Sequence, residues 1–187
     1  MIRDARRTEA LRVADLAWQA DPEALLTWAR SRRACLRMLA LAAGLPGTLV
    51  ATDVTRVAVR DGSVLGAAVV FPAVEAERRF CATLLCGIAA APWRARVLVE
   101  TIETTRVLVG GPGAWVLDCV AVSAGARRRG IGRALVKDAV GRARLGGADS
   151  VSVWAAHGND AALELYRSCG FVAVGDDAHN TLLSLRL

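Results

Sequence analysis

A chain of 187 residues is long enough for one domain with a sizeable core, and 54% hydrophobic with 22% charged residues excludes a disordered or collagen-like protein. The net charge of +6, carried almost entirely by arginine with Lys137 as the one lysine, leaves a polyanionic partner open without fixing its size.

No repeat, low-complexity tract or long Pro/Gly/Ser linker divides the chain, so residues 1–187 are expected to form a single domain. The opening segment MIRDARRTEALRV has no apolar stretch of signal-peptide length. The longest uncharged run, Phe80 to Trp93, falls short of the roughly 20 residues of a membrane span and is broken by Gly87 and Pro92. A soluble cytoplasmic protein without a membrane partner is the expectation. Five cysteines form an odd count with no C-x-x-C pair, and His157 and His179 are the only histidines, which points to reduced, mostly buried thiols and to no metal site.

In chain order, TEALRVADLAWQA from Thr8 reads as a helix. Asp21-Pro22-Glu23 then supplies an N-cap, a first-turn proline and an acid for a second helix running to Ala43, stopped by Gly44, Pro46 and Gly47. Two β-branched runs flank Asp61-Gly62, a strong hairpin signal. Glu75 to about Val109 fits helix with a break at Ala91-Pro92, and Gly110 to Gly113 is a loop. WVLDCVAV from Trp115 reads as a buried strand. Arg133 to Leu145 reads as an amphipathic helix ended by Gly146-Gly147, SVSVWAA as a strand, and the segment from Asn159 to Cys169 as a short helix capped by Asn159. FVAV and TLLSLRL close the chain as strands on either side of an Asp176-Asp177 turn. Strands alternating with helices in the second half argue for a mixed sheet with helices on its faces.

The chemistry concentrates in VLDCVAVSAGARRRGIGRALVKDAV, where a strand ends near Val122, an Arg- and Gly-rich loop follows and a helix begins. Gly130 and Gly132 let backbone N–H groups converge on an anion, the helix start adds unpaired donors at its positive end, and Arg127, Arg128 and Arg129 add formal charge. The spacing is neither a Walker loop nor the G-x-G-x-x-G of dinucleotide folds. Between Arg127 and Arg144 seven basic residues stand against Asp138 alone, which equals the whole net charge and suits the phosphates of one nucleotide cofactor better than a diffuse nucleic-acid coat.

Arg127-x-x-Gly130-x-Gly132 after a strand ending in Val122, followed by Asn159-x-x-Ala162-x-x-Leu165-Tyr166-x-x-x-Gly170-Phe171, resembles the two motifs of the GNAT superfamily of acyl-CoA N-acyltransferases. The motifs cover roughly residues 115 to 174, and the Asp61-Gly62 hairpin is similar to the family's turn between strands 2 and 3. Ala124 stands where a proline often follows the strand-end Val. The resemblance implies an α/β (α+β) fold with a single mixed, mostly antiparallel sheet of about 6–7 strands and helices on both faces. It also implies acetyl-CoA or another acyl-CoA as co-substrate and acyl transfer to an amine acceptor.

It further implies roles for residues. Backbone groups of Cys119, Val120, Ala121 and Val122 would pair with the pantetheine arm like an added strand. The stretch Arg128, Arg129, Gly130, Ile131, Gly132 and Arg133, with Arg127, would hold the pyrophosphate. Asn159 would hydrogen-bond the pantetheine or cap its helix. Tyr166 stands where the family places a general acid for the departing thiolate. Asp118 is the leading candidate for the base: counting by twos, it shares a strand face with Val116 and Val120, where burial would raise its pKa, although a purely structural carboxylate is an equal reading. Glu100 and Glu103 are weaker candidates. His157 reads as a loop spectator and Cys119 as an inert strand thiol rather than a nucleophile.

The acceptor region implied by the resemblance is about residues 15 to 50, where Trp18 or Trp28 would touch substrate, together with the turn from Gly175 to Asn180. The acceptor itself is read as an amine of a small molecule or peptide. Alternatives are a toxin-like enzyme acting on aminoacyl-tRNA and a non-catalytic acyl-CoA sensor. Homodimers are common among proteins of this resemblance.

Overall fold

The computed structural model describes residues 1–20, 22, 25, 26, 31–90, 111 and 113–187. The readings placed on Asp21, Glu23, Trp28, the Ala91-Pro92 break, Trp93, Glu100 and Glu103 lie outside the described residues.

The described elements are β1 (Ile2–Asp4), α1 (Ala10–Ala20), α2 (Arg32–Gly44), β2 (Thr55–Arg60), β3 (Ser63–Pro72), α3 (Ala76–Ala90), β4 (Ala114–Val122), α4 (Ile131–Leu145), β5 (Ser150–Ala156), α5 (Asp160–Ser168), β6 (Val172–Asp176) and β7 (Asn180–Arg186). The strands form one seven-stranded sheet in the order β1-β2-β3-β4-β5-β7-β6. Every neighbouring pair is antiparallel except β4 with β5.

The hairpin forms as expected. Asp61 and Gly62 both take positive φ, 49° and 74°, which is the backbone of a type I′ turn and explains the Asp-Gly choice. Strand β1 was not foreseen. It is a three-residue edge strand pairing Ile2 with Ala58, too short and too polar to show a period of two. The second helix also differs from expectation. Pro22, Leu25 and Leu26 are helical, but Ser31 has extended backbone and opens a new helix, its hydroxyl accepting from the Ala34 N–H at 3.3 Å.

Helices cover both sheet faces. On one side Ala14, Met38, Leu39, Leu84 and Cys86 from α1, α2 and α3 pack on Val69, Phe71 and Val116, and Val13 and Leu16 on Val57, Ala67 and Ala121. On the other, Leu135, Val136, Ala139 and Ala143 of α4 and Tyr166 of α5 pack on Ala68, Val70, Leu117, Val151 and Val153. Strand β3 alternates faces without a break through this region. Strand β4 does not: Val69 pairs with Cys119 while Val70 pairs with Leu117, so Asp118 is an extra residue, a β-bulge.

All five cysteines are free thiols; Cys35 and Cys86 are buried and the other three half-buried, a more open set than expected. No described helix is long and apolar enough to cross a membrane.

Candidate active site

The two parallel strands pair only at Ala114–Ser150, Trp115–Val151 and Val116–Ser152. β4 then continues to Val122 on the arm of β3, and β5 to Ala156 on the arm of β7, so the sheet opens into a cleft between them. Past Val116–Ser152 the two strands no longer pair with each other, and an extended chain carrying amide groups can lie between them as an added strand does. Cys119, Val120, Ala121 and Val122 all lie on this divergent stretch.

The bulge moves Asp118. Counting by twos put it on the face of Val116 and Val120, yet Val116 packs with the α1–α3 side while Val120 packs with α4, so these two point to opposite faces. One inserted residue exchanges inward and outward positions for everything beyond it. Asp118 sits at the slip itself, in the open stretch of β4. The residue is exposed to water, yet the protein packed around its carboxyl desolvates it and raises it to about 6.

Tyr166 is 5% exposed, in the apolar layer beneath α4, with its ring 5.8 Å from that of Phe171. Burial raises its phenol well above the usual value, helped by Cys119, Asp118 and Cys169. The same interactions place Tyr166 within electrostatic reach of the bulge, so strand β4 and helix α5 bring the two sequence-predicted proton-transfer candidates together.

At the cleft's end, the chain turns through Ala124–Ala126, and Arg127 donates its Nε–H to the Val122 carbonyl at 3.1 Å. Arg128 and Gly130 take φ of 57° and 75°, and Gly130 is the N-cap of α4. This turn leaves the first N–H groups of the helix pointing out of its positive end, an arrangement suited to phosphate oxygens. Gly132 has a different task. A Cβ there would lie 3.2 Å from Leu165 and 3.8 Å from Val122, so its absence lets α4, α5 and the end of β4 meet. Arg128, Arg129 and Arg133 are exposed and, among the described residues, form no ion pair.

The rest of the basic excess does not gather here. Arg142 donates to Asp4 at 2.8 Å and to the Asp53 carbonyl at 2.7 Å, and it lies about 16 Å along the helix from Ile131 by the α-helical rise. Asp138 is held by Arg56 through Nε at 2.6 Å and Nη2 at 3.2 Å. Of the seven basic residues counted from Arg127 to Arg144, only Arg127, Arg128, Arg129 and Arg133 belong to the loop and first turn.

Asn159 caps α5, its Oδ1 accepting from the Ala162 N–H at 3.2 Å. His157, read as a spectator without a local partner, has one across the strand pair: its Nε2 lies 3.5 Å from Asp176 Oδ1, and its N–H donates to the His179 carbonyl at 2.7 Å. No local sequence signal could reveal that contact, because β7 lies between β5 and β6. Asp177 accepts from the N–H groups of His179 and Asn180, and these bonds lower its pKa. Trp18 is half-buried against the α2–α3 side of the core.

A family model described as "Acetyltransferase (GNAT) family" matches residues 17–171. No curated protein matches the chain significantly. Among solved structures, one described as an acetyltransferase aligns at a TM-score of 0.73 with 21% identity, covering 100% of this chain and 98% of that one. An N-acetyltransferase from Staphylococcus aureus Mu50 aligns at 0.70 with 17% identity, over 99% and 100% of the two chains. A Bacillus subtilis acetyltransferase solved in complex with CoA aligns at 0.55 with 16% identity, over 100% and 97%.

Proposed function

The chain belongs to the GNAT family of acetyltransferases and is an acyltransferase using acyl-CoA, and from that premise we propose that it moves an acetyl or related acyl group from CoA to an amine of a small molecule or peptide, by direct attack in a ternary complex. The observation that carries this reading is the divergence of β4 and β5 after Val116–Ser152, which ends beside the Gly130 turn. The cleft is a slot for the amide-bearing pantetheine arm, and the turn is a seat for the pyrophosphate.

In this reading the backbone of Cys119 to Val122 pairs with pantetheine, and the N–H groups from Arg128 to Arg133 hold the pyrophosphate, with Arg127 bracing the turn through Val122. The amine nitrogen attacks the thioester carbonyl carbon, the C–N bond forms and the C–S bond breaks. The attacking nitrogen's proton passes to the Asp118 carboxylate, which with a pKa of about 6 is largely ionised at neutral pH and basic enough to accept it. The departing sulfur takes its proton from the Tyr166 hydroxyl. Burial keeps that phenol protonated and also weakens it as an acid. Donation is therefore concerted with C–S cleavage, when a thiolate forming in the same desolvated cleft is itself a stronger base than in water. Asn159 fixes the start of α5 and so the height of Tyr166. The reaction belongs to the cytoplasm, where acyl-CoA is at hand.

The direct test is a thiol-release assay with acetyl-CoA against a panel of small amines and peptides, together with calorimetric binding of acetyl-CoA. Saturable binding with amine-dependent release of CoA is expected. Binding without release for every amine would instead support an acyl-CoA sensor, and release confined to aminoacyl-tRNA would move the acceptor to that class.

A further inference from the structure

A thioester served by both Asp118 and Tyr166 has its sulfur beside one further side chain, Cys119. This residue follows the bulge directly, next in the chain to Asp118, and lies past the last rung between β4 and β5. Its side chain packs against the core on the α1–α3 side, whereas Tyr166 packs on the α4 side. The two act on each other electrostatically all the same, and at this level no rung joins β4 to β5. Strand cysteines are ordinarily sealed and inert, but Cys119 is half-buried at the edge of an opening.

Tyr166 marks the same spot as a ligand seat. The residue is 5% exposed and its hydroxyl has no hydrogen-bond partner among the described residues, yet the oxygen is not sealed from water. Such a donor takes its partner from outside the chain. In the reading above that partner is the CoA sulfur, which places the sulfur next to Cys119.

We propose that Cys119 is a covalent modification site for CoA itself: the disulfide of CoA enters the cleft in place of acyl-CoA and leaves one CoA joined to the Cys119 sulfur as a mixed disulfide. This inference rests on the acyl-CoA reading. The Cys119 thiol gives its proton to water, and its sulfur attacks the nearer sulfur of the CoA disulfide. The new S–S bond forms as the old one breaks, and the second CoA leaves as a thiolate that takes up a proton. The CoA disulfide is the oxidant. An anionic neighbour such as Asp118 disfavours the Cys119 thiolate, so speed comes from holding the reagent in place and not from an activated thiol. The joined CoA then occupies the cleft and shuts out acyl-CoA until a thiol reduces the bond.

Reduced wild-type protein incubated with CoA disulfide provides the test, read by intact-mass spectrometry and then by peptide mapping without reductant. One CoA per chain is expected, on the peptide holding Cys119. It should form about tenfold or more faster than the glutathione adduct from an equal concentration of glutathione disulfide, and acetyl-CoA should suppress it. Dithiothreitol is expected to release the CoA and restore acetyl-CoA binding. Cys119→Ser, first compared with wild type by circular dichroism, is expected to take up no CoA; mapping of the wild-type adduct decides the site even where that variant does not fold. If wild type binds acetyl-CoA while CoA disulfide adds nothing, adds to Cys81 or Cys169 instead, or reacts no faster than glutathione disulfide, this inference alone falls. Failure of wild type to bind acetyl-CoA at all overturns the acyl-CoA reading, and this inference with it.

Discussion

Val116 and Ser152 form the last rung between the two parallel strands, and from that pair onward each strand keeps only its outer neighbour. Beyond it the two strands no longer pair with each other, and in the proposed complex the pantetheine arm lies between them as an added strand would. Acetyl-CoA is therefore expected to slow amide exchange in residues 117–122 and 128–133 by tenfold or more while leaving α1 and α2 unchanged. Hydrogen–deuterium exchange with mass spectrometry, with and without acetyl-CoA, reads this directly; protection spread evenly over the chain would contradict a ligand lodged in the cleft.

Tyr166 is buried beside Phe171 with its phenol held protonated, and a phenylalanine there removes the hydroxyl while keeping the ring and its packing. Tyr166→Phe is expected to lower kcat by about 10²–10⁴ while the dissociation constant for acetyl-CoA stays within about twofold. A kcat near the wild-type value would remove Tyr166 from the proton path.

As the proposed base, Asp118 would couple activity and stability through a single pKa. Its folded value, about 6, lies above the ordinary 3.8, so the folded protein holds this proton more tightly than the unfolded chain. Ionising the carboxyl therefore costs stability: the penalty is absent below about pH 4, grows as pH rises to about 6, and is complete above it. Asp118→Asn should melt above wild type at pH 8 and level with it near pH 4, while kcat/KM falls by about 10²–10⁴ and loses its acid limb near pH 6. A variant that melts lower at pH 8 would identify Asp118 as a structural carboxylate.

Local chemistry made much of this legible in the sequence. Asp61-Gly62 dictates its turn because only residues tolerant of positive φ fit both central positions. Asn159 announces the start of α5, and the apolar stripe Leu135, Val136, Ala139, Val140 and Ala143 announces the buried side of α4. The bulge at Asp118 left no such trace. Its two flanks each alternate correctly, and the slip appears only against β3. The Arg79 hub was equally hidden. That nearly buried guanidinium meets Glu75 at 2.7 Å, Asp53 at 2.9 Å and the Thr48 carbonyl at 3.0 Å, partners separated by up to 31 positions in the chain. Features set by one element's own periodicity or caps can be read from a single chain, whereas those set by the register between elements cannot.

Gly66 belongs to that second group, and it controls how α4 sits above the sheet. It pairs with Val122 on β4, and a Cβ there would lie 2.8 Å from the Ala121 carbonyl oxygen, 3.0 Å from Leu135 and 3.4 Å from Ile131. The carbonyl is strand backbone and cannot rotate away, so the sheet or the first turn of α4 must move. Gly66→Ala is expected to destabilise the fold by about 1–3 kcal/mol, the usual range for overpacking. Because Ile131 follows the N-cap Gly130 directly, the same shift should weaken acetyl-CoA binding. Gly141, on the same helix, is the internal comparison. A Cβ there meets nothing within 4 Å, so Gly141→Ala should stabilise by about 0.5–1 kcal/mol through helix propensity alone, with acetyl-CoA affinity unaltered. Denaturant melts of the two variants with opposite signs, and calorimetry showing weakened binding only for Gly66→Ala, would establish that the β3 surface under the first turn sets the position of the proposed phosphate seat.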